Sequence, residues 1–120
     1  MDARKELGNK GEHKALQLLI KKGYQIIGQN IRVGRAEIDI LAQIGQTLVF
    51  VEVKTRNTDY YGHPESFVTD QKQEIMINAA ERYCDEKDLD NEVRFDVIAV
   101  VLTPNKTEIL HIEDAFWPMA

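Results

Sequence analysis

Ala36-Glu37-Ile38-Asp39-Ile40-Leu41-Ala42 and, beyond Gln43-Ile44-Gly45-Gln46, Thr47-Leu48-Val49-Phe50-Val51-Glu52-Val53-Lys54-Thr55 are two alternating segments separated by a turn signal. Strict alternation marks strands with two chemically different faces, and the short break between them makes this pair the best hairpin in the chain. In the first strand Glu37, Asp39 and Leu41 point one way, and Ile38, Ile40 and Ala42 the other. In the second, Leu48, Phe50, Glu52 and Lys54 share a face opposite Val49, Val51 and Val53. Two registers fit. Pairing Ala42 with Thr47 sets Glu37 opposite Glu52; a register two residues away sets Asp39 opposite Glu52 and Glu37 opposite Lys54. Either one puts Glu37, Asp39, Glu52 and Lys54 on a single face, with opposed Cβ atoms about 5 Å apart.

Three carboxylates that close repel, and a divalent cation removes the conflict. Mg²⁺ prefers hard oxygen ligands from one or two carboxylates, with water and substrate phosphate filling the rest of its shell. Lys54, two residues beyond Glu52, shares its face and reaches the same water or phosphate. The chemistry implied is metal-assisted phosphodiester hydrolysis with Mg²⁺ or Mn²⁺. The competing reading of the same spacing is a solvated strand face carrying a Glu37–Lys54 salt bridge.

Outward from the hairpin, Leu7, Gly11, Ala15, Leu18 and Leu19 recur at helical spacing, which predicts a helix from about Leu7 to Lys22 with Gly23 as its stop. Tyr24 to Asn30 reads as a strand, and the polar stretch Thr55 to Phe67 as a loop. Thr69 is a candidate N-cap for a helix to about Glu86, with Lys72, Ile75, Met76, Ala79, Ala80 and Tyr83 on its inward stripe. Val93 to Leu102 is a strand apolar enough to be buried on both faces, and Thr107 to Ile112 is the last strand. Helix, three strands, helix, two strands make an α/β fold: a mixed central β-sheet flanked by α-helices.

A chain of 120 residues has room for one core, so residues 1–120 are expected to form a single domain. With 43% hydrophobic and 29% charged residues it is no disordered chain. The longest apolar run, Val97 to Leu102, is far short of the roughly 20 residues of a membrane helix. No apolar segment follows the first residues, so no signal peptide is expected, and Cys84, alone, can form no internal disulfide. The expected location is the cytoplasm.

The net charge of −5 argues at first against nucleic acid. Its distribution reverses the argument. Residues 1–36 carry eight Lys/Arg against three acids, whereas residues 37–79 and 80–96 each carry three against seven. A basic N-terminal third can meet phosphate whatever the total says.

Asp39 followed by Glu52-Val53-Lys54 on the next strand resembles the PD-(D/E)XK nuclease signature. Glu12 in Gly8-Asn9-Lys10-Gly11-Glu12 resembles the acid that the Holliday-junction-resolvase branch adds on its first helix. More closely, the chain is similar to the small bacterial YraN-type family of predicted endonucleases. The similar stretches are Gly11-Glu12 through Ala15, Ala36 to Leu41, Phe50 to Arg56, Tyr61-Gly62, Arg94-Phe95-Asp96-Val97, His111-Ile112 and Ala115-Phe116. Ala36 departs from the family, which usually has Gly before Glu-Ile-Asp. The resemblance implies a restriction-endonuclease-like fold, with Asp39 and Glu52 as metal ligands, the Val53 carbonyl as a third, and Glu12 and Lys54 as further catalytic residues.

DNA is the partner that this implies. Lys10, Lys14, Lys21, Lys22, Arg32 and Arg35 would supply a phosphate-binding side. Arg56 and the loop around Tyr61 follow directly after the site, where backbone contacts and base stacking belong. Lys72 is an inward cation that could meet phosphate, or else a lysine snorkelling at its helix start. Asp96 is expected to pair with Arg94 or a backbone group. His13, His63 and His111 show no ligand spacing, and Cys84 is expected to pack. The first hypothesis is a metal-dependent DNA endonuclease, dimeric like the resolvases it resembles, acting on branched or damaged DNA. The second is a nucleic-acid-binding or interaction module that keeps the fold without cleaving.

Overall fold

Five strands and two helices follow one another in the computed structural model as α1 (Ala3–Lys21), β1 (Gln25–Val33), β2 (Ala36–Ile44), β3 (Thr47–Arg56), α2 (Asp70–Glu86), β4 (Glu92–Leu102) and β5 (Thr107–Phe116). The structure describes residues 2–57 and 68–118. The strands lie in the sheet in sequence order; β3 and β4 are parallel and all other neighbours antiparallel. Parallel neighbours need a long crossover, and α2 supplies it. This is an α/β fold with a mixed sheet, consistent with the restriction-endonuclease-like architecture.

Each helix covers one face. On the α1 side, Ala15 and Leu19 pack with Ile40, Ala42, Val49, Val51, Ile98 and Val100. On the α2 side, Met76, Ala79, Ala80 and Cys84 pack with Leu41, Leu48, Phe50, Phe95, Val97 and Phe116. Strands β2, β3 and β4 send buried apolar side chains to both cores, and β3 and β4 accordingly read as almost continuous apolar runs. No helix among the described residues is long and apolar enough to cross a membrane.

Several boundaries differ from the sequence reading, each for a local reason. Helix α1 starts at Ala3, ahead of the expected Leu7, because the Asp2 side chain caps it by accepting from the Arg4 N–H at 2.9 Å. The turn between β2 and β3 uses only Gly45 and Gln46, since Ile44 already pairs with Thr47 and Gly45 adopts φ +58°. That choice selects the register in which residue numbers sum as Asp39 with Glu52. Strand β3 runs on to Arg56, into the stretch expected as loop. Strand β5 continues past Ile112 to Phe116 through a bulge at which Asp114 takes φ +54°, and a bulge hides the period-2 signal. Thr69 caps α2 as expected, accepting from the Lys72 N–H at 3.2 Å.

Gly11 sets how closely α1 lies on β3. A Cβ built there would fall 2.7 Å from both Cβ and Cγ2 of Thr55, far inside van der Waals contact. Gly11→Ala gains up to about 1 kcal/mol of helix propensity but adds an overpacking cost of about 1–3 kcal/mol. The variant should melt below the parent in a thermal scan, although Ala is the better helix former. A higher melting temperature would mean that α1 does not need this close approach.

Candidate functional site

Strand β2 does not alternate throughout. Ile38 packs with Leu41 on the α2 side, yet Ile40 packs with Ala42 on the α1 side. Two residues two apart cannot sit on opposite faces of a regular strand, so the alternation slips at Asp39. The β2–β3 ladder runs from Ile44–Thr47 to Ile40–Val51, and Asp39 lies immediately beyond it. There its side chain replaces a ladder bond: Oδ2 accepts from the Val53 N–H at 2.9 Å. A strand residue turns its N–H and C=O toward the same neighbour, so the Val53 carbonyl faces this opening as well.

Glu52 is 4% exposed and sits beside Asp39. By alternation from Leu48 and Phe50 it lies on the α2 side, and Lys72 of α2 approaches it, Nζ to Oε2 at 3.3 Å. That approach is an ion pair without hydrogen-bond geometry, because Glu52 Oε2 is buried and accepts from no donor. Burial, the adjoining Glu52 carboxyl and its charge push the Asp39 carboxyl up to about 8; the Val53 N–H and Lys72 pull the other way. Asp39 thus keeps its proton at neutral pH, as one of two carboxyls forced together does.

Glu12 reaches the same region from the opposite face. Its carboxyl is raised by burial first, then by the charges of Asp39 and Glu37, and its Oε1 is a second buried oxygen with no donor. Helix α1 therefore delivers Glu12 one residue after the close approach at Gly11. Lys54, half-buried, follows Glu52 by two residues on β3.

The expected row of carboxylates on one face is corrected by the slip at Asp39. Glu37 turns toward the α1 side, is exposed, and pairs with Arg32 across β1 and β2 at 3.9 Å rather than with Lys54. Among the described residues no three His, Cys, Asp or Glu side chains close on a common point as a metal cage. The arrangement is a carboxylate pair with a third acid at its flank. Such a set suits a hard cation that keeps several waters, and the donor-less oxygens of Glu52 and Glu12 are what it would satisfy.

The basic residues divide. Lys10 and Lys14 bracket Glu12 on α1, and Arg35 is exposed in the β1–β2 turn. Arg56 ends β3 with Nη1 donating to the Thr55 carbonyl at 3.0 Å. Lys21 and Lys22 lie elsewhere, at the far end of α1, about 13–15 Å along the helix from Glu12. Lys22 donates to His111 Nδ1 at 2.8 Å and pairs with Glu113 at 3.5 Å. Tyr61 and most of the stretch expected as a loop lie outside the described residues.

A second polar cluster, of which only the Arg94–Asp96 pairing is legible in the sequence, sits on the α1 side. Asp96, fully buried, accepts from Arg94 Nε and Nη2, both at 2.9 Å, from His111 Nε2 at 2.7 Å and from the Asp114 N–H at 3.0 Å. Lys22 can only donate, so His111 accepts at Nδ1 and carries its proton on Nε2. Tyr24 completes the cluster, accepting from Arg94 at 2.6 Å and donating to Glu113 at 2.9 Å. Every member is partnered, which marks this cluster as a tie between α1, β4 and β5.

The model of the Uncharacterised protein family UPF0102 matches residues 11–100. That span includes Glu12, Asp39, Glu52 and Lys54. A UPF0102 protein of Christiangramia forsetii is 45% identical over 112 residues, 93% of this chain and 94% of the relative. One of Flavobacterium psychrophilum is 44% identical over 112 residues, again 93% and 94% of the two chains. One of Phocaeicola vulgatus is 41% identical over 113 residues, 94% of this chain and 93% of the relative. Identity at this level along nearly the full length of each partner places the chain in the UPF0102 family, the YraN-type family that its motifs resemble.

Proposed function

We propose that this protein is a metal-dependent endonuclease that hydrolyses DNA phosphodiester bonds, with branched or damaged DNA as its substrate class. The observation that carries the reading is Glu52 Oε2, buried and without a donor, on a carboxyl that lies beside a second one, Asp39, whose titration that neighbour and burial raise. A structural acid would be supplied with hydrogen bonds, as Asp96 is. Asp39, Glu52 and the Val53 carbonyl would hold Mg²⁺ or Mn²⁺, which when bound would activate water and offset negative charge on phosphate. Lys54 orients the attacking water or stabilises the anionic transition state. Glu12, on the flank, receives or steers a proton. Lys10, Lys14, Lys72, Arg35 and Arg56 hold the DNA backbone, so binding should weaken steeply with salt as phosphates recover their counterions. Tyr61, which lies outside the described residues, is assigned to base stacking.

A homodimer fits this reading, since a two-fold enzyme suits a two-fold junction and adds avidity that an acidic chain lacks. A plasmid-nicking assay with Mg²⁺, Mn²⁺ or EDTA tests the function. Cleavage with either metal and none in EDTA is the expected result. Binding of DNA without cleavage under any condition would instead make the protein a nucleic-acid-binding module.

A further inference from the structure

Lys72 is an unusual residue for its position. It occupies the third place of α2, at the helix end where the dipole favours anions rather than cations. Its side chain stays 35% exposed while its ammonium lies 3.3 Å from Glu52 Oε2, an oxygen on a side chain only 6% exposed. That oxygen has charge beside it but no directed hydrogen bond. The contact thus offsets the repulsion between Glu52 and Asp39 without saturating either carboxyl.

A Mg²⁺ or Mn²⁺ ion bonds a carboxylate oxygen at about 2.1 Å. An ammonium on the same oxygen would then lie within a few ångströms of a double positive charge, so the two occupancies exclude each other. A flexible four-carbon stem lets the ammonium leave without moving the helix. Once it leaves, a phosphate drawn to the N-terminal end of α2 would be a favourable partner for it.

We infer that Lys72 is a placeholder cation: it holds Glu52 while the metal is absent, yields that oxygen to the metal, and passes to a DNA phosphate. This rests on the metal-site reading above and adds to it a competition between one side chain and the metal. Metal and DNA then reinforce each other, because phosphate draws away the metal's competitor.

The test is a Mn²⁺ titration of the full chain without DNA, followed by the EPR signal of free Mn²⁺, on the parent, Lys72→Met and Lys72→Arg. Lys72→Met removes the competing charge and keeps the stem, so it should bind Mn²⁺ about two- to fivefold more tightly, in line with the strength of a partly exposed ion pair. Lys72→Arg keeps a cation and should bind Mn²⁺ like the parent. If Lys72→Met fails to fold, Lys72→Gln reads the same effect. Equal or weaker Mn²⁺ binding in the uncharged variant, with the parent still binding, overturns the placeholder role and leaves the metal site standing. No Mn²⁺ binding by any of these proteins overturns both.

Discussion

Asp39→Ala, Glu52→Ala and Lys54→Ala proteins should each lose at least about 10²–10³-fold in metal-dependent cleavage while remaining folded, the size of effect seen when one preorganised charge-stabilising group is removed. Asp39 and Glu52 would lose a ligand each; Lys54 would lose the cation aimed at water or phosphate. None of the three fills the apolar core on either side of the sheet. Lys54→Arg should fail too, because a planar fork cannot stand in for a compact ammonium in a half-buried position. Glu37→Ala is the internal control. Glu37 is exposed and turned to Arg32, so this variant should keep most of its activity. Initial rates of supercoiled-plasmid nicking measure all five. Parental rates in Asp39→Ala would remove Asp39 from the site.

The largest effect on stability should come from Asp96, which the proposed chemistry does not use. Asp96→Ala strands the Arg94 guanidinium and the His111 Nε2–H in the interior, and breaking a buried pair in this way costs about 3–5 kcal/mol. For a chain of this length that corresponds to a fall of roughly 10–20 °C in melting temperature. Burial acts to raise the Asp96 carboxyl, but His111, Arg94 and the Asp114 N–H outweigh it and hold it below its usual value. A depressed carboxyl adds stability above its unfolded-state titration and loses it as pH falls through the folded one. The parent should therefore lose this contribution in acid, below about pH 4, and the gap between parent and Asp96→Ala should narrow there. Thermal melts from pH 3 to pH 7 measure both effects. Cleavage below the melting temperature should survive in Asp96→Ala, which separates this cluster from the site. A melting temperature within 2–3 °C of the parent's, roughly the shift of a substitution worth under 1 kcal/mol, would contradict the account of the cluster.

The order of elements and the two-sided cover of the sheet follow from period and apolar run length, and both are legible in the chain. Gly45, a tight-turn residue, even contains the register, although the four polar residues around it read as a longer turn. The slip at Asp39 is not legible. Glu37, Ile38, Asp39 and Ile40 alternate perfectly as letters, and the slip exists because the Asp39 side chain bonds the Val53 backbone in place of a ladder carbonyl. Glu12 needs a helix packed close enough to reach the sheet, and Gly11 is the visible trace of that packing. Lys72 reads as an inward cation, but its partner depends on where the crossover lands. The Asp96 cluster joins residues up to 91 positions apart, such as Lys22 with Glu113, and no local period carries that information.

One pair of melts tests the central claim, that Asp39 and Glu52 are held together for a metal. With its carboxyl pushed up to about 8, Asp39 is protonated in the folded chain at pH 7 and ionised in the unfolded one. A raised carboxyl removes stability progressively as pH rises from its unfolded to its folded titration. Asp39→Asn keeps an acceptor for the Val53 N–H and gains a donor for Glu52 without that penalty. In EDTA at pH 7 the variant should melt above the parent, and the gap should close toward pH 4. Millimolar Mg²⁺ should raise the parent by mass action and the variant much less. If Asp39→Asn melts below the parent in EDTA and the parent does not respond to Mg²⁺, the two acids are not a metal site.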